Sequence, residues 1–179
     1  MPTAGLTQQL GIEKVAPITE EFFKFSAKVI LAHNGIVDRL LGDAVMAFFN
    51  VPIKHDDHVA RAVNAAFEIQ EGVNRINATN SAEVVLGVGI GIATGTALAT
   101  NMGSTNCNDY TMVGDTINIA SRLQGEAAAG EVLLTQDAYD AVRGAFPRSE
   151  RREHELKGIA QPIVAYSLKR EGRKSSFSG

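Results

Sequence analysis

The sequence predicts an α+β domain, because long amphipathic helices alternate with short apolar strands and one tight hairpin signal lies between two helices. With 179 residues, 45% of them hydrophobic and 21% charged, the chain has enough apolar material for a single core and too little length for two comfortable domains. We therefore expect one domain over residues 1–168. The residues that follow are mostly polar, so residues 169–179 are expected to form a C-terminal tail.

Two amphipathic helices are predicted in the first half of the chain. The first spans residues 18–34, and Thr19 has the residue type of an N-cap. The second begins at Asp57 and ends near residues 77–81. Both repeat apolar residues at helical spacing, the first at Phe22, Phe25, Val29 and Ala32 and the second at Val59, Val63, Phe67, Val73 and Ile76.

A tight β-hairpin is predicted between these helices. Two apolar runs, residues 36–41 and 44–49, are separated only by Gly42 and Asp43. A two-residue connection that contains glycine is typical of antiparallel hairpins. We therefore expect Asp43 to lie at the tip of the hairpin.

A glycine-rich strand is predicted over residues 84–93. Valine, leucine and isoleucine alternate along one face, and the opposite face includes three glycines, Gly87, Gly89 and Gly91. Because glycine has no side chain, this face can admit another backbone closely. A loop or extended arm is expected over residues 101–109, and a helix over residues 116–124.

The remainder of the chain predicts a strand at residues 131–134, a helix at 135–142 and terminal strands at 153–156 and 163–168. Helix, hairpin, helix and strand are most of a ferredoxin-like βαββαβ unit, here with a C-terminal extension. The opening strand of that unit has no counterpart before the first helix, since the chain begins at Met1. We expect that strand to be missing.

Composition excludes several classes of partner. The net charge of −3 arises from 17 basic and 20 acidic residues, so no overall field favours nucleic acid or an anionic membrane. Cys107 is the single cysteine, which rules out an internal disulfide and fits a reducing compartment. Without a signal peptide or a long apolar segment, the chain is expected to be cytoplasmic.

Familiar nucleotide and metal motifs are absent from the sequence. In a dinucleotide fingerprint that starts at Gly89, the third glycine falls on Thr94, and no Walker-type loop is present. His55 and His58 lie at a predicted helix start without a third clustered ligand, so capping and solvation explain them better than a metal.

Three spaced segments carry the functional signal. The first is RLLGD, from Arg39 to Asp43; the second is DYTMVGDTINIASR, which ends at Arg122; the third is ELKG, which includes Lys157. In this order, over about residues 30–168, they resemble the class III adenylyl and guanylyl cyclase family. The resemblance implies the class III nucleotide cyclase fold and an enzyme that converts ATP to cyclic AMP and pyrophosphate in intracellular signal transduction.

The resemblance also implies roles for individual residues. Family members use two divalent ions, Mg²⁺ or Mn²⁺, held by two carboxylates, and Asp43 matches the second carboxylate. Asn118 and Arg122 match the catalytic pair that orients the ribose and stabilises the transition state. Lys157 matches the lysine that binds the terminal phosphates.

Two further positions match the family's purine-reading residues, Arg39 and Thr111. Adenine presents an acceptor at N1 and a donor amine at N6, so a cation together with a hydroxyl suits it. ATP is therefore the expected substrate. Because the family's adenylyl cyclases usually carry lysine where this chain has Arg39, a guanylate cyclase stays open as an alternative.

The family's active sites are shared across a head-to-tail homodimer, which the resemblance implies here as well. Asp43 of one chain would act opposite the base, ribose and phosphate ligands of its partner. The polar residues 100–109 resemble the family's dimerisation arm.

One departure leaves a second hypothesis open. The segment AGLT at residues 4–7 looks like the end of the turn that follows the first metal carboxylate, which puts Pro2 in the place of that carboxylate. The alternative is a catalytically silent module for dimerisation or nucleotide sensing. An unrelated ferredoxin-like palm of the diguanylate cyclase type is disfavoured, because its Gly-Gly-acidic hairpin is absent.

Overall fold

The computed structural model describes residues 12–41, 44–80, 84–101, 110–147, 149–156, 159 and 161–168. It confirms the α+β prediction. The helices are α1 (Ile12–Ala32), α2 (His58–Thr79), α3 (Asp115–Glu126) and α4 (Gln136–Val142). The strands are β1 (Ile36–Leu41), β2 (Ala44–Phe48), β3 (Ile90–Ile92), β4 (Leu98–Asn101), β5 (Tyr110–Val113), β6 (Val132–Thr135), β7 (Ser149–His154) and β8 (Ile163–Leu168).

These strands form three β-sheets. The largest is a four-stranded sheet in the order β3-β6-β8-β7, in which β3 and β6 are parallel and the other pairs antiparallel. The strands β1 and β2 form the predicted hairpin, with Leu41 opposite Ala44, and β4 pairs with β5. The expectations for Asp43, Pro2, the opening strand and the tail concern positions outside the described residues.

The helices α1 and α2 pack against one another and bury the main apolar cluster. Its buried members come from both helices and from the segment before β3: Ile18, Phe22, Val29, Ile30, Ala65, Ile69, Val73, Ile76, Val84, Leu86 and Val88. A second cluster joins α2 to β6 and α4 through Val63, Leu134 and Ala138. The apolar positions named from the sequence recover Phe22, Val29, Val73 and Ile76 of the main cluster. Ala32, which was assigned to the same apolar face, is exposed.

The first helix begins earlier than predicted. It starts at Ile12 and continues through Pro17, and Val15 and Ile18 on either side of the proline are both buried. Thr19 is therefore not an N-cap: its hydroxyl donates to the carbonyl of Val15, 2.9 Å away, inside the helix.

The glycine-rich strand is shorter than predicted. Only Ile90–Ile92 belongs to a ladder. Side-chain amides of α2 bond the backbone ahead of it: Asn77 both donates to and accepts from Leu86, at 2.8 Å each, and Gln70 donates to the carbonyl of Val88 at 2.6 Å. These amides satisfy backbone groups that a ladder would otherwise pair.

Polar and aromatic contacts fix the C-terminal strands. Glu131 accepts hydrogen bonds from Ser167 (2.6 Å), Arg152 (2.8 Å) and the Ala128 backbone N–H (2.9 Å). The rings of Tyr139 and Tyr166 stack with centroids 4.0 Å apart. These contacts join α4, β6, β7 and β8.

The substitution Glu131→Gln is expected to lower the free energy of unfolding at pH 7 by about 1–3 kcal/mol. Burial raises the pKa of the Glu131 carboxyl, but the hydrogen bonds from Ser167 and Ala128 and the charge of Arg152 outweigh burial and lower that pKa. The carboxylate therefore stabilises the fold above the unfolded pKa, about 4.3, and this contribution is lost as pH falls through the folded pKa.

Urea unfolding at pH 7 and pH 3 measures this effect. The difference in the free energy of unfolding between wild type and Glu131→Gln should be smaller at pH 3 than at pH 7. Glu153→Gln is the matched control, because Glu153 forms only an exposed pair with Arg151 and should change stability by less than about 0.5 kcal/mol. A constant difference at both pH values would contradict the prediction.

Candidate active site

The helix α3 carries Asn118 and Arg122, the two residues for which the family resemblance implies a catalytic role. Asn118 lies in its first half and Arg122 one turn later, so the spacing of four residues puts both on one face. Asn118 is exposed and Arg122 is half-buried. At the start of the helix, the Thr116 hydroxyl donates to the carbonyl of Thr96, 3.3 Å away, which joins α3 to the loop between β3 and β4.

The glycine face of β3 lets α3 approach the sheet closely. A β-carbon added to Gly91 would lie 2.6 Å from the carbonyl oxygen of Ala120 on α3. Ahead of β3, one added to Gly87 would lie 2.8 Å from the β-carbon of Ala129, which follows the end of α3. The prediction that this face admits another backbone is therefore confirmed. On the other side of the contact, Leu123 is completely buried against Leu133 and Ala165.

The substitution Gly91→Ala is expected to lower the free energy of unfolding by about 1–3 kcal/mol, because the methyl group overlaps the backbone of α3. It should also reduce catalytic activity, since the helix that carries Asn118 and Arg122 must shift. Urea unfolding and steady-state rates measure the two effects. Gly125→Ala is the matched control on α3: apart from the neighbouring turns of its own helix, no atom of the described residues lies within 4 Å of its added β-carbon, so stability should hold or rise by up to about 1 kcal/mol.

Arg122 lacks a counter-charge in the part of the chain that the structure describes: no carboxylate there forms an ion pair with it, and no hydrogen bond joins it to another group. Other arginines are paired, such as Arg61 with Asp57 (2.7 Å) and Arg152 with Glu131. A half-buried guanidinium without a protein partner is well suited to an external anion, because its charge is less screened than on an open surface.

The structure describes only some of the other predicted site residues. Arg39 lies on β1 opposite Met46, and Thr111 lies on β5 opposite Thr100. For these two residues the structure describes the backbone. Asp43 and Lys157 lie outside the described residues. The structure therefore brings Asn118 and Arg122 together and does not test the remaining four positions.

A positioning contact near the site was not predicted. His58, at the start of α2, donates from Nδ1 to the carbonyl of His55 (2.9 Å), and its Nε2 lies 3.5 Å from the hydroxyl of Thr94. Since a carbonyl only accepts, Nδ1 donates the bond to His55, while Nε2 lies at the outer limit of hydrogen-bond distance from the Thr94 hydroxyl. The His-Asp-Asp-His segment suggested a helix start but gave no sign of its contact with a loop 36 residues away.

Among the described residues there is neither a cluster of metal-ligating side chains nor a helix that could span a membrane. No three histidine, cysteine, aspartate or glutamate side chains among them cluster in a way that could hold a metal ion. None of the helices found there has the length and apolar content needed to cross a membrane.

Comparison with known proteins matches nearly the whole chain to one family. The model for "Adenylate and Guanylate cyclase catalytic domain" matches residues 6–170. The chain is 36% identical over 118 residues, 63% of its length, to Adenylate cyclase 1 of Rhizobium meliloti. It is 32% identical over 175 residues, 88% of its length, to an adenylate cyclase of Anabaena cylindrica. The aligned regions span 17% and 34% of these relatives.

Solved cyclase structures share the fold. The guanylyl cyclase Cya2 superimposes with a TM-score of 0.87 at 25% identity, covering 97% of this chain and 89% of that one. The adenylyl cyclase CyaB from P. aeruginosa gives a TM-score of 0.86 at 24% identity, covering 95% and 89%. The expected fold is confirmed.

Proposed function

Because this chain belongs to the adenylate and guanylate cyclase catalytic domain family, we propose that it is an adenylate cyclase that converts ATP to cyclic AMP and pyrophosphate in a cytoplasmic signalling pathway. The observation that carries the proposal is the pairing of Asn118 with Arg122 on one face of α3, where Arg122 has no counter-charge among the described residues. The names of the two curated relatives favour ATP over GTP.

The chemistry of the proposed site follows from the two side chains on α3. Four residues advance a helix by about 6 Å, so Asn118 and Arg122 can contact adjacent parts of one nucleotide. The amide of Asn118 both donates and accepts hydrogen bonds, which suits the orientation of a ribose. The planar guanidinium of Arg122 can donate two parallel hydrogen bonds to phosphate oxygens, and its charge stabilises the negative charge of the transition state.

Substrate contacts are proposed for three more residues. Arg39 and Thr111 would read the adenine edge, and Lys157 would bind the terminal phosphates as a compact cation. Lys157 follows β7, which ends at His154, and Thr111 lies on β5, four residues ahead of the start of α3. Thr111 is therefore close in sequence to the helix that carries Asn118 and Arg122.

A divalent ion fits the proposed donor set in part. Asp43 follows β1 and precedes β2, and Mg²⁺ is commonly bound by one or two carboxylates together with substrate phosphates. One ion on the triphosphate is therefore compatible with Asp43. A second ion requires another carboxylate, for which Pro2 offers no ligand. A bound ion would supply Lewis-acid polarisation of a phosphate oxygen.

A homodimer is proposed for the complete site. Leu98 and Val113 are opposite each other on the β4–β5 hairpin, and they are 66% and 43% exposed. An exposed pair of large apolar residues near α3 favours contact with a second protein surface. In the proposed dimer, Asp43 acts opposite Asn118 of the partner subunit and Arg122 of the partner subunit.

The silent-module hypothesis is kept as the second candidate because of Pro2. The test measures cyclic AMP from ATP and cyclic GMP from GTP, each with Mn²⁺, on this chain and on a chain extended upstream to restore an aspartate. Cyclic AMP in excess of cyclic GMP supports the proposal. ATP binding without any cyclic product from the extended chain would establish the silent module instead.

A further inference from the structure

The last turn of α3 carries an acidic side chain in line with the two proposed catalytic residues. Asn118, Arg122 and Glu126 follow one another at intervals of four residues, and α3 ends at Glu126. Residues four apart on a helix are neighbours, with β-carbons about 5–6 Å from each other. Glu126 is therefore the carboxylate of α3 that is best placed to neutralise Arg122.

In the structure this carboxylate contacts a histidine instead. No ion pair joins Glu126 to Arg122, and Oε2 of Glu126 lies 3.6 Å from Nδ1 of His154, the last residue of β7. This distance is too long for a hydrogen bond. Nδ1 carries a proton in the protonated ring and in one neutral tautomer, and in either form it attracts a carboxylate.

His154 lies on the face of β7 that α3 covers. Alternate residues of a strand share a face, so His154 is on the same side as Arg152. The residue opposite Arg152 is Ala165, which packs against Leu123 of α3. The His154 side chain is only 13% exposed, and its Nε2 is buried without a hydrogen-bond partner. The contact with Glu126 therefore fixes a ring that is already enclosed.

The neighbouring cation on this face is already paired. Arg152 donates to Glu131 at 2.8 Å and to Glu150 at 2.9 Å, so it is shared between two carboxylates. Glu126 also needs a partner, because a carboxylate in the last turn of a helix is disfavoured by the helix dipole. His154 and Arg122 are thus the two groups that can compete for Glu126.

We infer that His154 is a positioning residue for Arg122: it holds the Glu126 carboxylate beside β7 and so keeps the guanidinium available to substrate phosphate. This inference rests on the proposed role of Arg122 in the cyclase reaction. Exposed pairs at a spacing of four residues are weak. Arg122 is half-buried, however, so a released Glu126 would compete for it more strongly than on an open surface.

The variant His154→Leu tests the inference. Leucine fills the space of the ring, and no hydrogen bond of Nε2 is lost. We expect kcat for cyclic AMP formation to fall about three- to tenfold and KM for ATP to change less, because Arg122 is proposed to act on the transition state. His154→Val repeats the test with a side chain that favours strands. Steady-state kinetics with Mn²⁺ measures the rates, and urea unfolding shows that each variant is folded.

The substitution Glu126→Gln separates this role from a structural one. In the double variant with His154→Leu, kcat should return to within about twofold of that of Glu126→Gln alone, because the released side chain carries no charge. The matched control adds Glu153→Gln to His154→Leu. Glu153 lies on the other face of β7 in an exposed pair with Arg151, so the rate should stay low. A loss of kcat that persists with Glu126→Gln would overturn the inference.

Phenylglyoxal labelling of Arg122, quantified by mass spectrometry, tests the pairing without any need for activity. The reagent attacks the neutral guanidine, and a nearby carboxylate favours the charged form, so labelling should be at least about threefold slower in His154→Leu than in wild type. Adding Glu126→Gln should restore the labelling rate. Equal labelling of wild type and His154→Leu would overturn the inference. The expected labelling pattern in a chain that makes no cyclic product would support the positioning of Glu126 and contradict the proposed function alone.

Discussion

Arg122→Ala is expected to lower kcat for cyclic AMP formation by about 10²–10³-fold, the usual effect of removing one group that stabilises transition-state charge. KM for ATP should change much less, because the guanidinium is proposed to act on charge that develops during the reaction. Arg122→Lys should recover only part of the rate, since an ammonium cannot donate two parallel hydrogen bonds. Steady-state kinetics with Mn²⁺ measures both variants.

The matched control for this prediction is Arg143→Ala. Arg143 is the C-cap of α4, is exposed, and forms a long ion pair of 3.6 Å with Asp140. The kcat of Arg143→Ala should therefore equal that of wild type. Urea unfolding of both variants separates a catalytic effect from a change in stability. A normal kcat in folded Arg122→Ala would remove Arg122 from the proposed machinery.

An equal mixture of Asp43→Ala and Arg122→Ala chains is expected to recover about one quarter of wild-type activity, although each variant alone is nearly inactive. With free exchange of subunits, half of the dimers are mixed, and each mixed dimer has one intact site of two. The recovery should grow as the chains exchange partners. Activity after mixing, followed over time, measures it.

The control mixture combines Arg122→Ala with Asn118→Ala chains. Both changes affect the same half of the proposed shared site, so a mixed dimer contains no intact site and activity should stay at the level of the single variants. Recovery in this mixture, or none in the first, would contradict the shared-site dimer.

The sequence was most informative where local chemistry and burial agree. The β1–β2 hairpin was predicted correctly because only Gly42 and Asp43 separate its two apolar runs in the sequence. The helix α2 was predicted almost to its ends, since its apolar stripe faces the core throughout. The glycine face of β3 was also correct, because only a lack of side chains allows the observed approach of α3.

Other elements depend on contacts that a local pattern cannot contain. The strands β4 and β5 were missed because Leu98 and Val113 are exposed, so no buried alternation marks them. The early start of α1 was missed because Pro17 usually disfavours a helix interior, whereas in the structure the helix runs through Pro17 and buries Val15 ahead of it. The shortening of β3 follows from Asn77, whose amide bonds the backbone of Leu86 instead.

Some features of the candidate site could be predicted from the sequence, and others became visible only in the fold. The spacing of Asn118 and Arg122 was enough to predict that they share a face of α3, because helical periodicity is local. The missing counter-charge of Arg122 and the contact of His58 with Thr94 could be found only once the chain was folded. Arg39, Thr111, Asp43 and Lys157 keep the roles that the family resemblance implies, as proposals.

The stacked rings of Tyr139 and Tyr166 also provide a spectroscopic signal. The chain contains three tyrosines and no tryptophan, so this pair accounts for two of the three phenol rings that absorb near 280 nm. One ring belongs to α4 and the other to β8, and they lie nearly parallel, at 9°. Near-ultraviolet circular dichroism of the unmodified protein should therefore report when α4 separates from the sheet, without an added label.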